Sequence, residues 1–170
     1  MARTPQQLSI DIGDTHLNVW HWPGENHAEG DPIVFLHATG FHGRCWDSII
    51  EQFPDSPSYA IDLRFHGQSG KTGDVEWPLM ADDIAAALEK LNLYKALLVG
   101  HSIGGYLATV AAAKQPERVG QLLLLDPVIM APERYAMLQQ MSGMMKPEHH
   151  PVARRRNAWQ GPDELVERFK

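Results

Sequence analysis

The chain has 170 residues, of which 44% are hydrophobic and 21% charged, and its formal net charge at pH 7 is −6. This composition predicts one soluble globular domain that buries about 70% of its unfolded surface, and it excludes a disordered chain. The negative charge gives no electrostatic reason to expect a nucleic-acid partner, so a small molecule or a protein is the expected partner.

The first two thirds of the chain predict a hairpin followed by alternating strands and helices. Alternating polar and apolar residues at 8–12 and 16–20 flank Gly13-Asp14, a pattern typical of an antiparallel hairpin at a sheet edge. Short apolar runs predict buried strands at 33–36, 96–99 and 122–125, and a further strand is predicted at 58–61. Helices are predicted near 45–53, 79–91 and 106–114. This alternation predicts an α/β fold with a predominantly parallel, doubly wound sheet, which binds ligands beyond the carboxyl ends of its strands.

The character of the sequence changes after residue 130. Five of the seven methionines fall between Met130 and Met145, and several of them recur at helical spacing. Two interpretations stay open: an adaptable apolar lid over a site, or ordinary packing of an amphipathic helix. The basic run at residues 154–156 is interpreted as a solvated face.

The pentapeptide Gly100-His101-Ser102-Ile103-Gly104 is the strongest functional signal. It has the form G-x-S-x-G and lies between a predicted strand and a predicted helix. An abrupt strand-to-helix turn needs small residues on either side of its central residue, which Gly100 and Gly104 supply. The serine would then lie at a helix N-terminus, where unpaired N–H groups can stabilise an oxyanion. Ser102 is therefore the candidate nucleophile.

Three motifs follow successive strands in a fixed order: residues 36–41 (LHATGF), 62–69 (DLRFHGQS) and 100–105 (GHSIGG). Together they resemble the α/β-hydrolase family over residues 8–130, and residues 131–170 resemble the start of its helical cap. The resemblance implies a core domain at 1–130 and a cap or lid segment at 131–170. It also implies an α/β-hydrolase sheet that carries the N-terminal hairpin and stops after about its sixth strand. We expect such a sheet to leave an unpaired apolar edge.

By this resemblance Ser102 attacks the carbonyl carbon of a carboxylic ester or related acyl substrate and forms an acyl-enzyme. The methionine-rich segment favours a hydrophobic ester, while amide, thioester, lactone, carbon–carbon bond and perhydrolase chemistry stay open. The oxyanion hole would combine the N–H groups of Ile103 and Thr39. A serine at this position argues against the haloalkane dehalogenases and epoxide hydrolases that share the fold. The family usually has His-Gly where this chain has His37-Ala38, which makes the geometry of the hole less certain than that of the serine turn.

Other polar residues near these motifs are interpreted as structural. His37 would pin its loop, and His101 would point away from the nucleophile and support the site wall. Asp62, Arg64 and His66 would hold their turn by hydrogen bonds and ion pairs. No metal-binding pattern occurs among the histidines, so neither a metal nor another cofactor is expected.

The remaining members of a catalytic triad are not evident. The family order is Ser, then Asp or Glu, then His, yet after Ser102 the only histidines are His149 and His150, in the cap-like segment, which makes them poor candidates for the base. Asp126 is a possible acid, although bracing a turn is the favoured interpretation. We therefore expect little or no esterase turnover from these 170 residues. A non-catalytic binding module and an incomplete gene product remain as alternatives.

Cys45 is the only cysteine, so no disulfide can form within the chain, which favours a reducing, cytoplasmic compartment. The N-terminus lacks the apolar segment of a signal peptide, and no stretch approaches the roughly 18 apolar residues of a membrane span. No membrane association is expected. The sequence does not indicate an oligomeric state.

Overall fold

The computed structural model describes residues 3–24, 31–131, 133–135, 137, 160–161, 163–164 and 167. Six strands lie in these ranges: β1 (Gln6–Asp11), β2 (His16–Trp22), β3 (Ile33–Leu36), β4 (Ser58–Ile61), β5 (Ala96–His101) and β6 (Val119–Leu125). The helices described are a 3-10 turn (Gly43–Trp46), α1 (Asp47–Ile50), α2 (Trp77–Lys90) and α3 (Ile103–Lys114). The predicted alternation of strands and helices is confirmed.

The six strands form one mixed sheet in the order β1-β2-β4-β3-β5-β6. β1 pairs antiparallel with β2, and β2 pairs antiparallel with β4. β4, β3, β5 and β6 are parallel to one another. The antiparallel hairpin therefore forms one edge of a predominantly parallel sheet, as the sequence predicts, and the carboxyl ends of β3, β4, β5 and β6 meet at a common side.

Hydrophobic side chains cover both faces of the sheet. Successive residues of a strand point to opposite faces, and β3 divides its four buried side chains accordingly. Val34 and Leu36 join a core cluster with buried residues of α2 and α3. Ile33 and Phe35 join a second cluster with Trp46 and Ile50, which lie on the 3-10 turn and α1. The sheet is thus covered by helical segments on both sides.

Two helical predictions differ from the structure in their bounds. The helix predicted at 45–53 is a 3-10 turn followed by only four α-helical residues, Asp47–Ile50. Pro54 follows this segment, and proline disfavours the α conformation in the residue before it. The helix predicted at 79–91 is α2, which spans Trp77–Lys90. The helix start predicted at the serine is confirmed, since α3 begins at Ile103 and β5 extends through His101. Ser102 alone therefore separates strand from helix.

The chain divides into two compact units, residues 1–129 and 130–170. The sheet and the three motifs belong to the first unit. In the second unit the described residues include a short helical turn at 133–135. None of the described helices combines the length and the apolar character needed to cross a membrane.

Candidate active site

Ser102 occupies a sharp junction between β5 and α3. Its φ and ψ are 55° and −117°, a combination that residues other than glycine rarely adopt. Backbone strain of this kind costs about 1–3 kcal/mol and persists only where the surrounding structure imposes it. The Ser102 hydroxyl has no hydrogen-bond partner in the described part of the chain. The side chain is half-buried and lies at the carboxyl end of the parallel strands.

The glycines of the pentapeptide allow the backbone segments around Ser102 to approach one another. A Cβ atom on Gly100 would collide with the backbone of Gly104, and one on Gly104 would collide with the carbonyl oxygen of Leu36. Leu36 ends β3, so the start of α3 lies directly against the end of that strand. These contacts impose the conformation of Ser102.

Two backbone N–H groups at the carboxyl end of the parallel strands are available as donors. Ile103 is the first residue of α3, where N–H groups have no acceptor within the helix. Thr39 lies in the exposed turn after β3. In the ranges that the structure describes, neither N–H has a hydrogen-bond acceptor. Both can therefore donate to an oxyanion.

The segment that carries Thr39, residues 37–43, is called here the oxyanion loop. At its start His37 is fully buried, and its Nε2 accepts a hydrogen bond of 3.0 Å from the Leu63 N–H. Its Nδ1 therefore carries the proton and donates it to the Ala38 carbonyl over 2.8 Å. Burial is the main cause that lowers the pKa of His37 to about 4. With both ring nitrogens occupied, His37 anchors the loop and has no free lone pair for proton transfer.

Asp62 binds the other end of the oxyanion loop. Its carboxylate is 1% exposed, and its Oδ1 accepts a hydrogen bond of 2.5 Å from the Gly43 N–H. Its Oδ2 accepts hydrogen bonds of 2.9 Å from the side-chain amide of Asn18 and from the Gln68 N–H. Three N–H donors thus share one buried carboxylate, which makes these strong charge-assisted bonds.

Asn18 is a site residue that sequence reasoning missed. It lies between Leu17 and Val19 in β2, and all three residues are buried. A buried amide inside an apolar strand is unusual, because a polar group removed from water needs a partner. An asparagine between apolar strand residues is therefore a signal that can be read in the sequence. It does not reveal which residue supplies the hydrogen-bond partner.

Arg64 forms a second buried polar cluster. It is 1% exposed and makes ion pairs of 2.6 Å with Asp83 of α2 and with Asp14 of the β1–β2 turn. The hydrogen bonds to Asp83 and Asp14 raise the pKa of Arg64. Arg64 also lowers the pKa of the Asp14 carboxyl, chiefly through its hydrogen bond. The cluster connects three segments of the core, as expected for a structural role.

Asp126 lies beside the backbone of Ser102. Ser102 N–H donates to the Leu125 carbonyl over 3.0 Å, and the Val128 N–H donates to the Ser102 carbonyl over 3.2 Å. Asp126, between these two contacts, is exposed and has φ of 45°. Its position at the end of β6 brings it next to the serine turn.

Of His101, His149 and His150, only His101 lies within the described residues. His101 is the half-buried last residue of β5, opposite Leu125 of β6. His149 and His150 lie outside the described residues, as do Met141 and Met144 of the predicted lid. Within the described ranges, no group of three His, Cys, Asp or Glu side chains is placed to hold a metal ion.

A cavity of about 250 Å³ borders the turn that contains Asp62. Its lining is formed by Trp20, His42, Arg44, Asp62, Gly67 and Gln68. Ser102 does not line it. The cavity is therefore not the space in which a group bound to Ser102 would lie.

Comparison with known proteins gives a consistent result. Residues 31–164 match the family described as alpha/beta hydrolase fold. The chain is 33% identical over 97 residues to the lipase LipV of Mycobacterium tuberculosis, covering 57% of this chain and 37% of the lipase. It is 34% identical over 108 residues to the esterase Rv0045c of the same organism, covering 62% of this chain and 36% of the esterase.

Solved structures show the same fold. The haloalkane dehalogenase DatA of Agrobacterium tumefaciens superposes with a TM-score of 0.70 at 20% identity, covering 86% of this chain and 50% of the dehalogenase. At this identity the likeness concerns the fold alone. The chain thus spans less than half the length of the two curated relatives and half that of the dehalogenase.

Proposed function

The chain belongs to the alpha/beta hydrolase fold family, and on that premise we propose that it is a serine hydrolase acting on a hydrophobic carboxylic ester. The observation that carries the proposal is the strained Ser102, placed between β5 and the N-terminus of α3. The two mycobacterial relatives are a lipase and an esterase, which supports an ester as the substrate. A serine at this position also favours acyl transfer over dehalogenation.

In the proposed reaction the Ser102 oxygen forms a bond to the carbonyl carbon while a base removes the hydroxyl proton. The electron pair of the carbonyl π bond moves to the oxygen, which receives hydrogen bonds from the N–H groups of Ile103 and Thr39. The bond to the alcohol oxygen then breaks, and the alcohol takes the proton from the base. Water repeats the sequence on the acyl-enzyme and releases the acid.

The scheme requires a general base, and none of the described residues is proposed for that role. His37 cannot serve, because hydrogen bonds occupy both of its ring nitrogens. Asp126 is the proposed acid, on the strength of its place beside the serine turn. Without a base the Ser102 hydroxyl keeps its ordinary high pKa, so we expect slow turnover from these 170 residues by themselves.

Labelling with a fluorophosphonate probe tests the proposal. We expect slow modification of Ser102 in the 170-residue chain, located by peptide mass spectrometry, and no modification in Ser102→Ala. Free imidazole at pH 8 should supply the base and accelerate labelling by at least about tenfold. Imidazole at pH 5, where it is protonated, is the matched control and should not accelerate labelling.

Absence of labelling at Ser102 with imidazole at pH 8 would contradict the serine-hydrolase proposal. If the protein then still bound a hydrolysis-resistant ester analogue, and Ser102→Ala bound it equally well, the chain would be a binding module. Aggregation without ligand binding would instead indicate an incomplete product.

A further inference from the structure

We propose that Asp62 is a positioning residue that sets the geometry of the oxyanion hole by fixing the carboxyl-terminal end of the oxyanion loop. The inference rests on the proposed function and extends it to a residue outside the family's triad.

Both ends of the loop are bound by one short segment after β4. His37, at the start, accepts from the Leu63 N–H, and Gly43, at the end, donates to the Asp62 carboxylate. Asp62 and Leu63 are consecutive residues. Thr39, the proposed donor, lies between the two attachments, so a shift at either end changes the position of its N–H.

The attachment at Gly43 is tightly constrained. Gly43 is buried, and a Cβ atom there would lie 2.9 Å from the Ala60 carbonyl oxygen and 3.1 Å from Asp62 Oδ1. On the other side of the carboxylate, a Cβ atom on Gly67 would collide with Asp62. Asp62 therefore has little room to move, and it holds Gly43 at one distance.

The amide of Asn18 fixes the orientation of the carboxylate. Asn18 Nδ2 donates to Asp62 Oδ2, while its Oδ1 accepts a hydrogen bond of 2.8 Å from Gln7 Nε2. The Asn18 N–H donates to Ser69 Oγ over 2.8 Å, and Ser69 Oγ in turn donates to the Asp62 carbonyl over 2.5 Å. The antiparallel hairpin thereby braces the residue that holds the loop.

Attachment at the two ends matters because the middle of the loop is exposed at Thr39. The hydrogen bonds described inside it include one of 3.1 Å from the Phe41 N–H to the Ala38 carbonyl. A misplacement of about 1 Å at such a donor is expected to cost about 100-fold in rate.

The test replaces Asp62 by asparagine and measures the labelling of Ser102 against probe concentration in the presence of imidazole. An asparagine has only one acceptor oxygen, so an NH₂ group must face at least one of the three donors. We expect the maximal labelling rate of Asp62→Asn to fall by about 10- to 100-fold. The concentration that gives half of that rate should change less than about threefold, since the loop acts on the transition state.

Two further variants separate positioning from general destabilisation. The double variant Asn18→Asp with Asp62→Asn exchanges the amide and the carboxylate, so that an oxygen can again face Gly43; it should recover most of the lost rate. Asp83→Asn removes a buried carboxylate from the Arg64 cluster, which makes no contact with the oxyanion loop in the described structure. It should lower stability yet leave the maximal rate within about twofold.

Equal losses of the maximal labelling rate in Asp62→Asn and Asp83→Asn would overturn the inference. An unchanged maximal rate in Asp62→Asn would overturn it as well. Hydrogen exchange provides a readout that does not depend on catalysis. The Gly43 and Phe41 amides should exchange at least about tenfold faster in Asp62→Asn than in the wild type. Their exchange rates should be unchanged in Asp83→Asn. If the wild-type protein is never labelled, the proposed function fails, while the exchange result alone decides whether Asp62 fixes the loop.

Discussion

At the scale of single residues, Ser102 adopts a strained backbone conformation that the surrounding residues impose. Its positive φ is held by the close contacts of Gly100 and Gly104, and not by any preference of serine. Strained residues cluster at functional sites, so the conformation supports a role for the side chain. The strain also has a measurable consequence for stability.

We expect Ser102→Gly to be more stable than Ser102→Ala by about 1 kcal/mol, because glycine adopts a φ of 55° without steric cost. Position 113 is the matched control, since it is exposed and lies inside α3. There Ala113→Gly should lower the free energy of unfolding by about 1 kcal/mol. Urea denaturation measures both comparisons. If Ser102→Gly were about 1 kcal/mol less stable than Ser102→Ala, as Ala113→Gly should be relative to the wild type, the backbone at position 102 would be unstrained.

His37 makes stability depend on pH. Its pKa is about 4 in the folded protein, against an ordinary value of 6.5, so between these two values the unfolded chain binds more protons. Stability therefore rises with pH across this window and falls as the pH is lowered from 6.5 towards 4, by up to about 3 kcal/mol. Burial lowers the pKa of His21 as well, which adds to the trend in the same direction.

The contribution of His37 can be isolated with His37→Gln. At pH 7 the variant should be less stable than the wild type, because the hydrogen bond from Leu63 is disturbed. The difference should shrink as the pH falls to 4.5, where the wild type loses the advantage of a neutral buried imidazole. Urea unfolding at several pH values gives this comparison. A difference that is constant with pH would contradict the assigned cause.

At the scale of elements, apolar runs located strands well but helix starts poorly. The strands predicted at 33–36 and 58–61 match β3 and β4 residue for residue. β3 shows the continuously apolar sequence of a parallel strand that is buried on both faces. The helical residue pattern alone indicates α3 only from residue 106, since glycines at 104 and 105 weaken it, and the G-x-S-x-G motif was needed to predict a helix that starts at the serine. Here tertiary contacts override propensity: these glycines lie against Leu36 and Pro127.

The polar network behind the oxyanion loop could be predicted only in part. The motif at 62–69 indicated a turn held by Asp62 and Arg64, and the structure places both in buried clusters. Asn18 and Gly43 could not be assigned to it, because their contacts span 44 and 19 residues in sequence. Local patterns carry no information about such distant pairs.

Gly104→Ala tests the packing of α3 against β3. The added methyl group would collide with the Leu36 carbonyl oxygen, which belongs to the backbone and cannot rotate away. We expect a loss of about 2 kcal/mol or more in unfolding free energy. Gly161→Ala is the control, since no atom lies within 4 Å of its Cβ position. It should change stability by less than about 0.5 kcal/mol. Equal effects of the two substitutions would show that α3 does not begin against β3.

At the scale of the whole molecule, the two edges of the sheet differ. The edge strand β1 alternates exposed and half-buried residues. β6 at the other edge reads VGQLLLL, without a charge or a proline, and Leu122, Leu123 and Leu125 are 40%, 49% and 40% exposed. In the described ranges β6 pairs with β5 alone. The pairing of β6 with β5 shifts register once, between Ala96 opposite Val119 and Leu97 opposite Gln121, and pairs regularly from there to Leu125. Natural edge strands normally carry charges, prolines or bulges that prevent pairing with other chains, and the leucine-rich half of β6 has no charge or proline.

We therefore expect the isolated 170-residue chain to associate through β6 at micromolar concentration. Leu123→Lys places a charge on this edge at a side chain that is 49% exposed, so it should reduce association without lowering stability appreciably. Phe53→Lys is the matched control, because Phe53 is 46% exposed and lies outside the sheet. Light scattering after size exclusion should give a lower mass for Leu123→Lys only. If both lysine variants reduced the mass equally, the cause would be added charge in general, and association through the edge would be excluded.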